Sequence, residues 1–414
     1  MHYHLIGSMG VSMRGIQKIL EHEGHVVTGS DLKLKGHDAK NISSDIDVIV
    51  RTSAVSPGSP GWVEVLEGEK LGIKIVKRSE ILADITKKKY LITISGMHGK
   101  TTVTSLIGLI MIEAGFDPTV LVGEEVREFG DVVRIGKSKY FVMEACEYDR
   151  SFLDFKPDIA VITNIDKEHL DTYPGGVPEI LDAFGEFIKN IKSGGILVYC
   201  AEDQNLSQLV NKYENAKKVP YKISGNEFEI GLLGEHNKLN SEAAISVGKE
   251  LGIKLDIARS VLKKFKGAHR RLEYKGSING AQVYDDYGHH PTEIRATIKA
   301  LSDQFPDKKL VVVFWPHQYK RILPLLSEFA DAFKLADDVI LKPIYFVPGR
   351  DEELDVSSEK IVEIINTKGK KAKVFDNDDE ICDYLINNTD SSSIILTIGI
   401  PPIYKVAEKI VKEK

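Results

Sequence analysis

The chain has 414 residues, of which 42% are hydrophobic and 28% are charged, with a net charge of −6. These values are typical of a globular protein with two or three domains, and the negative charge argues against nucleic acid as the main partner. Three widely spaced cysteines, Cys146, Cys200 and Cys382, predict neither a disulfide framework nor a zinc site and favour the cytoplasm. We expect no signal peptide, because a strand begins almost at Met1, and no membrane insertion, because no apolar run approaches the roughly 20 residues of a span.

The N-terminal residues predict a small α/β unit. A strand ending at Ile6 leads into the glycine turn at residues 7–10, an amphipathic helix follows, and a second strand ends at Asp31. An acidic residue about 20 positions after such a turn is the Rossmann arrangement for a nucleotide ribose. The turn lacks the full three-glycine fingerprint, so Asp31 is either a nucleotide ligand or a cap of the next segment.

The next segment predicts a phosphate-binding loop. An apolar strand runs into Gly96-Met97-His98-Gly99-Lys100-Thr101-Thr102, and an apolar helical pattern follows at once. Strand, tight loop and helix N-terminus together hold polyphosphates, because backbone N–H groups and the helix dipole favour an anion. Lys100 can reach the β- and γ-phosphates, and the Thr101 hydroxyl can bind Mg²⁺. Two residues separate the glycines where the common phosphate loop has four, so a plain strand–turn–helix corner is the alternative.

Polar residues follow two later strands, where open α/β sheets bind ligands. Glu144 ends one strand and can coordinate Mg²⁺ directly or through water, and Asn164 ends another. His169 is a candidate second metal ligand or phosphate contact, and a structural role is equally compatible with its position. Asn237 precedes an alanine-rich helix predicted from Asn240, and either reads a base edge or caps that helix.

From about residue 268, alternating strands and helices predict another parallel sheet. Arg270 and Arg271 lead into a hairpin with a strong turn signal at Asn279-Gly280. Arginines and histidines concentrate in loops beside the strand ends, which favours an anion site.

Taken together, these segments resemble the Mur ligase family, the ATP-dependent amino-acid ligases of cell-wall precursor synthesis, and most closely its alanine-adding branch. The two-residue glycine spacing of the phosphate loop is the family's own. The other matching motifs occur in the family's order: Glu144-Ala145-Cys146-Glu147, Thr163-Asn164-Ile165, His169-Leu170-Asp171, His236-Asn237, Arg270-Arg271, Asp285-Asp286-Tyr287-Gly288-His289-His290-Pro291 and Pro316-His317-Gln318-Tyr319-Lys320-Arg321.

The resemblance implies an α/β fold of three domains. Residues 1–86 would form a Rossmann-like UDP-sugar domain, residues 87–267 a central P-loop ATPase-like domain, and residues 268–414 a Rossmann-like amino-acid-binding domain.

The resemblance also implies a site. The UDP-sugar would contact Gly7, Gly10, Asp31, Ser53, Ala54 and Arg78. ATP would contact Gly96, Met97, His98, Gly99, Lys100, Thr101, Thr102, Asn237, Arg271 and Asp286. Two Mg²⁺ ions, replaceable by Mn²⁺, would be held by Thr101 and Glu144 and by His169. His290, His317 and Arg321 would line the amino-acid side, with His98 also near substrate, and Lys100, Glu144 and His169 would be catalytic.

The implied reaction joins L-alanine, or a similar small amino acid, to the carboxylate of UDP-N-acetylmuramate through an acyl phosphate. The partners would be small molecules rather than nucleic acid, and the sequence predicts no particular oligomer. Departures from the family pattern occur at Met9, Ser12, Cys146, Gln318 and the segment Gly399-Ile400-Pro401-Pro402-Ile403-Tyr404. Two alternatives therefore remain: a recycling ligase that attaches a murein peptide to the same sugar, and a non-catalytic protein that binds nucleotide or UDP-sugar.

Overall fold

The computed structural model describes residues 1–224, 229–347 and 351–412. Within them the chain forms two compact units. The first is built from residues 1–166, 172–224 and 239–262, and the second from residues 167–171, 229–238 and those from 263 onward. Two short segments from the middle of the sequence therefore belong to the second unit. In the described part of the chain, the strands make three sheets, of four, seven and six strands.

The first sheet is fully parallel, with the order β2-β1-β3-β4. Its strands are β1 (His2–Ile6), β2 (Val26–Ser30), β3 (Val48–Arg51) and β4 (Lys74–Lys77), and its helices are α1 (Val11–His22), α2 (Trp62–Lys70) and α3 (Arg78–Thr86). Helix α1 forms because Met13, Ile16 and Leu20 fall on one face, which is buried. The glycine turn after β1 lies where the strand order reverses, the usual place for a ligand in such sheets.

The second sheet has the order β11-β10-β9-β5-β8-β6-β7 and is parallel except for the β6–β7 pair. Its strands are β5 (Tyr90–Ser95), β6 (Thr119–Val126), β7 (Asp131–Arg134), β8 (Tyr140–Glu144), β9 (Ile159–Ile162), β10 (Ile196–Cys200) and β11 (Lys217–Tyr221). The helices that follow or accompany it are α4 (Lys100–Glu113), α5 (Val177–Lys189), α6 (Gln204–Val210), α7 (Glu235–Glu250) and α8 (Leu255–Lys264). Because β5 is central, the loop after it is flanked by the ends of β8 and β9.

The third sheet has the order β12-β13-β17-β14-β15-β16 and is parallel except for the β12–β13 hairpin. Its strands are β12 (Glu273–Ile278), β13 (Ala281–Asp286), β14 (Lys309–Phe314), β15 (Asp338–Leu341), β16 (Lys371–Val374) and β17 (Ser393–Ile398). Its helices are α9 (Pro291–Gln304), α10 (Tyr319–Ile322), α11 (Leu326–Ala332), α12 (Ser358–Thr367), α13 (Asp378–Asn388) and α14 (Tyr404–Lys412).

Both faces of the third sheet are buried under helices. Along β14, Leu310, Val312 and Phe314 belong to one apolar cluster, while Val311 and Val313 belong to another on the opposite face. This alternation follows from the two-residue period of a strand, and it explains why a parallel strand covered on both sides is apolar throughout.

The structure confirms the predicted α/β class and the hairpin at Asn279-Gly280, where both residues have positive φ. It corrects one boundary: the helix predicted from Asn240 begins at Glu235, so Asn237 lies in its first turn instead of preceding it. In the part of the chain that the structure describes, no helix is both long and apolar enough to cross a bilayer.

Candidate active site

The phosphate loop after β5 requires both of its glycines. Gly96 has φ +123° and Gly99 has φ +82°, conformations that residues with a side chain rarely adopt. A Cβ on Gly96 would lie 2.1 Å from Oγ1 of Thr163, and one on Gly99 would lie 2.5 Å from Oδ1 of Asn240. The loop therefore ends at the N-terminus of α4, which faces the space that the loop encloses.

Lys100 is held inside this loop. Its Nζ donates to the carbonyl oxygens of Gly96 at 2.5 Å and Met97 at 3.2 Å, and to Oε1 of Glu147 at 3.0 Å. Burial lowers the pKa of Lys100, but the Glu147 carboxylate outweighs this effect and raises it to about 12. Lys100 is therefore a charged ammonium whose contacts are all oxygens, as a phosphate would offer.

The end of β9 fixes the phosphate loop from the other side. Oδ1 of Asn164 accepts a hydrogen bond from the backbone N of His98 at 2.9 Å, and Oγ1 of Thr163 donates to the His98 carbonyl at 2.6 Å. Nε2 of the His98 ring lies 2.9 Å from Oδ2 of Asp166. Both the backbone and the ring of His98 are thus positioned by the β9 segment.

Two predicted magnesium ligands, Thr101 and Glu144, belong to the first unit. Thr101 lies in the first turn of α4, and Glu144 ends β8, where its carboxylate accepts a hydrogen bond from the Gly123 backbone N at 2.6 Å. A Cβ on Gly123 would lie only 2.8 Å from that carboxylate, so glycine leaves room for it. A hydroxyl and a carboxylate are oxygen ligands of the kind that Mg²⁺ prefers, so these residues fit the ion.

The third predicted metal ligand, His169, belongs to the second unit. It has φ +54°, and its Nδ1 lies 3.9 Å from Oε1 of Glu168. Thr101 and Glu144 therefore belong to one unit and His169 to the other.

The residues predicted to hold the UDP-sugar lie in the first unit. Gly7 turns the chain after β1 with φ +84°, and the Gly10 backbone N donates to its carbonyl at 3.1 Å. Asp31 accepts hydrogen bonds from the backbone N of Met9 at 3.1 Å and of Lys33 at 3.0 Å, so it links the glycine turn to the segment after β2. It does cap the next segment, as the alternative interpretation proposed.

The other residues predicted to contact this substrate follow β3 and β4. Ser53 donates from Oγ to Asp149 at 2.9 Å, and Ala54 comes next in the same turn. Arg78 begins α3 and donates to Oγ of Ser12 at 3.0 Å. The departure at Ser12 thus supplies an acceptor for Arg78, whereas Met9 is 40% exposed at the turn.

In the second unit, the residues predicted to contact ATP are Asn237, Arg271 and Asp286. Asn237 is buried and donates to the Leu233 carbonyl at 2.8 Å. Asp286 accepts from the backbone N of Leu272 and of Gly288, each at 2.7 Å. Burial raises the pKa of Asp286 to about 6, against the opposing effect of Arg271.

Arg321 and His290 lie beside a buried carboxylate of the second unit, Glu168, and His317 lies beside Arg321. Arg321 donates from Nε to Oε1 of Glu168 at 3.0 Å and from Nη1 to Nδ1 of His317 at 3.1 Å. His290 caps α9, accepting from Thr292 N at Nδ1, and its Nε2 lies 3.9 Å from Oε2 of Glu168. Burial raises the pKa of Glu168, but Arg321 and the neighbouring histidines hold it well below its usual range.

A small cavity adjoins this cluster. Its lining carries more positive than negative groups, which suits an anion: Lys167, Glu168, His169, Leu170, Asp171, Gln318, Lys320, Arg321 and Leu325. Gln318, where the family has an arginine, has φ +67°, and its backbone N donates to the Tyr345 carbonyl at 3.1 Å. Any residue with a backbone N–H can make this hydrogen bond, so glutamine in place of arginine leaves the main-chain contact of the turn intact.

A buried arginine accounts for the unusual segment after β17. Arg270 donates to Oδ2 of Asp285 at 2.9 Å, to the Gly399 carbonyl at 2.5 Å and to the Ile400 carbonyl at 3.0 Å. Its guanidinium carbon also lies 4.9 Å from the ring centroid of Tyr404. Because Arg270 binds backbone carbonyls, it holds the segment whatever side chains stand there.

Four residues with clear contacts have no role in the sequence predictions. Glu147 pairs with Lys100, Asn240 bounds Gly99, Glu168 pairs with Arg321, and Arg270 holds the segment after β17. Each lies within three positions of a residue predicted to form the site, and Glu147 and Arg270 belong to motifs that match the family, but only the fold shows what they contact.

Cys146 also departs from the family pattern. Burial and Glu147 raise the pKa of its thiol to about 11, so the thiol is uncharged.

Comparisons with known proteins agree with this arrangement. Residues 2–90 match the Mur ligase family catalytic domain, residues 94–227 the Mur ligase middle domain, and residues 270–400 the Mur ligase glutamate ligase domain. The UDP-N-acetylmuramate–L-alanine ligase of Caldanaerobacter subterraneus is 39% identical, over 99% of this chain and 97% of that protein.

Two solved structures share the fold. The UDP-N-acetylmuramate–alanine ligase of Thermotoga maritima matches with a TM-score of 0.82 and 24% identity, covering 100% of this chain and 99% of that one. The murein peptide ligase of Psychrobacter arcticus matches with a TM-score of 0.71 and 20% identity, covering 100% and 98%. The motifs occur in the family's order, the strands form three sheets, and a relative is 39% identical over almost the whole chain. The chain therefore belongs to the Mur ligase family.

Proposed function

We propose that this chain uses ATP to join L-alanine, or a similar small amino acid, to the carboxylate of UDP-N-acetylmuramate in peptidoglycan precursor synthesis. The observation that carries the proposal is the phosphate loop, in which a partly buried, charged Lys100 is surrounded by oxygen acceptors at the N-terminus of α4. Its relative from Caldanaerobacter subterraneus is named for this reaction. The three cysteines and the use of ATP favour a cytoplasmic enzyme.

In the first step, a carboxylate oxygen of the sugar attacks the γ-phosphorus of ATP, and ADP leaves. The new bond makes an acyl phosphate. Two anions must meet for this to happen, so positive charge has to neutralise them. Lys100 exchanges its carbonyl contacts in the loop for phosphate oxygens, and the backbone N–H groups of residues 96–102 hold the same phosphates.

Thr101 and Glu144 would hold one magnesium ion and His169 a second, and Mn²⁺ would substitute. Bound there, the ion supplies charge neutralisation at the phosphates. Asn237, Arg271 and Asp286 would complete the nucleotide site, with Arg271 directed to phosphate and Asp286 to ribose.

In the second step, the amine of the amino acid attacks the activated carbonyl, and the tetrahedral intermediate expels phosphate. Arg321 and His317 would hold the amino-acid carboxylate, with His290 and His98 close to the reacting groups. Because water hydrolyses an acyl phosphate, the three proposed domains, residues 1–86, 87–267 and 268–414, should close before activation.

The test is phosphate release from ATP in the presence of UDP-N-acetylmuramate, with free amino acids and a cell-wall tripeptide compared side by side. The proposal expects release with L-alanine, glycine or L-serine and none with the tripeptide. A murein peptide ligase shares the fold, and release with the tripeptide alone would favour that second function. Nucleotide binding without any release would indicate a non-catalytic binding protein and overturn both.

A further inference from the structure

Glu64 is a buried carboxylate surrounded by hydrogen-bond donors. It lies in the first turn of α2 and is fully inaccessible to solvent. It accepts hydrogen bonds from Oγ of Ser30 at 2.5 Å, Nδ2 of Asn41 at 2.7 Å and the Asp38 backbone N at 3.2 Å. Ring nitrogens of His4 and His37 each lie 3.4 Å from it. Such a charge is retained in a protein interior only when hydrogen-bond donors surround it in this way.

These donors come from separate parts of the first sheet. His4 lies in β1, Ser30 ends β2, and the remaining donors lie in the segment of residues 37–41 that follows. Since that segment has only one short 3₁₀ turn, at Ala39–Asn41, it depends on side-chain contacts for its position. Glu64 therefore ties an irregular segment to the sheet and to α2.

Ser30 connects this network to the residues proposed to bind the UDP-sugar. While its side chain donates to Glu64, its carbonyl accepts hydrogen bonds from the backbone N of Gly7 at 2.9 Å and of Ser8 at 3.0 Å. The next residue is Asp31, whose carboxylate accepts from Met9 N at 3.1 Å. The glycine turn and Asp31 are thus each one hydrogen bond or one residue away from Ser30, whose side chain donates to Glu64.

We propose that Glu64 is a positioning residue for the nucleotide end of the UDP-sugar: its charge holds Ser30 and residues 37–41, and so sets the glycine turn and Asp31 in their binding geometry. Glu64 touches no substrate itself and acts through Ser30 and residues 37–41. The inference rests on the proposed function, because it assumes that the first unit binds the UDP-sugar. It adds a residue that neither the motifs nor the family resemblance points to.

The test compares the steady-state kinetics of the full-length wild type, Glu64→Gln and Glu69→Gln with UDP-N-acetylmuramate, ATP and L-alanine. Glu69 lies on the same helix but is exposed, so it is the matched control. In Glu64→Gln we expect the KM for UDP-N-acetylmuramate to rise roughly tenfold or more, as the loss of a hydrogen-bonded charge commonly does. The KM for ATP and kcat should stay within about twofold, and Glu69→Gln should match the wild type.

A milder variant, Asn41→Ala, keeps the Glu64 charge and removes its 2.7 Å donor, together with a longer hydrogen bond of 3.4 Å to the Gly36 carbonyl. It should raise the same KM by a smaller factor, and it carries the test if Glu64→Gln does not fold. A purely structural role would lower the amount of folded enzyme, and so the apparent kcat, without changing KM. An unchanged KM for UDP-N-acetylmuramate in folded Glu64→Gln, or in Asn41→Ala if only that variant folds, overturns the inference. If instead the wild type itself does not ligate, it is the proposed function that fails.

Discussion

Lys100 combines a partly buried position with a fixed positive charge, and the two together define what the phosphate loop can do. Its ammonium lies among the carbonyls of its own loop and the Glu147 carboxylate. A phosphate brought to this place would meet a charge already desolvated and oriented, which is the situation in which one group contributes most to a rate.

Replacing Lys100 with alanine should lower the rate of ATP-dependent phosphate release by at least 10²–10³, as the loss of one preorganised charge partner does. The control is Lys88→Ala, at an exposed position ahead of β5, which should keep the wild-type rate. Near-wild-type ligation by purified Lys100→Ala would show that the loop does not act on the phosphates of ATP.

Glu64 gives a prediction about stability. Although burial raises its pKa, the hydrogen bonds from His4, Ser30 and Asn41 dominate and lower it from 4.5 to about 2. A carboxyl whose pKa is lower in the folded state stabilises the protein above its unfolded-state pKa and loses that effect as the pH falls toward 2. The shift corresponds to about 3 kcal/mol at neutral pH.

Urea unfolding of wild type and Glu64→Gln between pH 3 and pH 6 measures this effect. The difference in unfolding free energy should be largest near pH 6 and shrink as the pH falls. A difference that does not change over this range would mean that Glu64 is not held ionised by its neighbours.

Arg270 should matter chiefly for stability. It is buried, pairs with Asp285 and holds two carbonyls of the segment after β17. Arg270→Met removes one partner of a buried pair and should cost about 3–5 kcal/mol in unfolding free energy. The matched surface change is Lys299→Ala, whose ion pair with Asp303 is exposed and should contribute little to stability. A loss of similar size in both variants would contradict the role given to Arg270.

At the residue scale, sequence reasoning names groups whose role follows from a local motif. Lys100, Thr101 and Glu144 stand at a loop, a helix N-terminus and a strand end, which pattern alone can locate. Glu64 lies in a helix with no motif around it, and its donors lie 23 to 60 positions away. Pairing of that kind depends on the tertiary fold, so no local pattern contains it.

At the scale of elements, the phosphate loop depends on glycine geometry more than on any single contact. A side chain at position 96 would need a φ near +123° and would collide with Thr163. The odd spacing of the glycines is thus a property of this loop's path beside β9, and not a weakened form of the common motif.

Gly96→Ala should therefore abolish ATP binding measured by calorimetry. The matched control is Gly115→Ala, where φ is also positive at +80° but no atom lies within 4 Å of the added Cβ. In that variant the positive φ destabilises the folded state by only about 1–2 kcal/mol, and it should bind ATP normally. Equal ATP affinity of Gly96→Ala and the wild type would contradict the loop assignment.

The elements themselves follow closely from hydrophobic periodicity. Helix α1 and the strands leading to the glycine turn, the phosphate loop and Glu144 are found where the pattern predicts them, because each has a strong apolar face or run. The sequence predicts the start of α7 too far along the chain, because His236, Asn237 and Lys238 interrupt the apolar pattern. In the structure the helix begins directly after the turn at Gly234.

At the scale of the whole molecule, the three sheets agree with the predicted alternation of strands and helices. The sequence does not indicate that residues 167–171 and 229–238 belong to the second unit. The first of these segments is held there by the pairing of Glu168 with Arg321, 153 positions away, a long-range contact that local composition does not encode. The two boundaries between the three proposed domains, at residues 86 and 267, stay a prediction.

The central claim, that ATP activates the sugar carboxylate, is tested most directly by isotope transfer. UDP-N-acetylmuramate labelled with ¹⁸O in its carboxylate is incubated with ATP, L-alanine and the enzyme, and the released phosphate is analysed by mass spectrometry. An acyl phosphate that is opened by the amine leaves one carboxylate oxygen on the phosphate, so we predict one ¹⁸O in each phosphate released with formation of the alanyl product. Unlabelled phosphate alongside the same product would contradict the account.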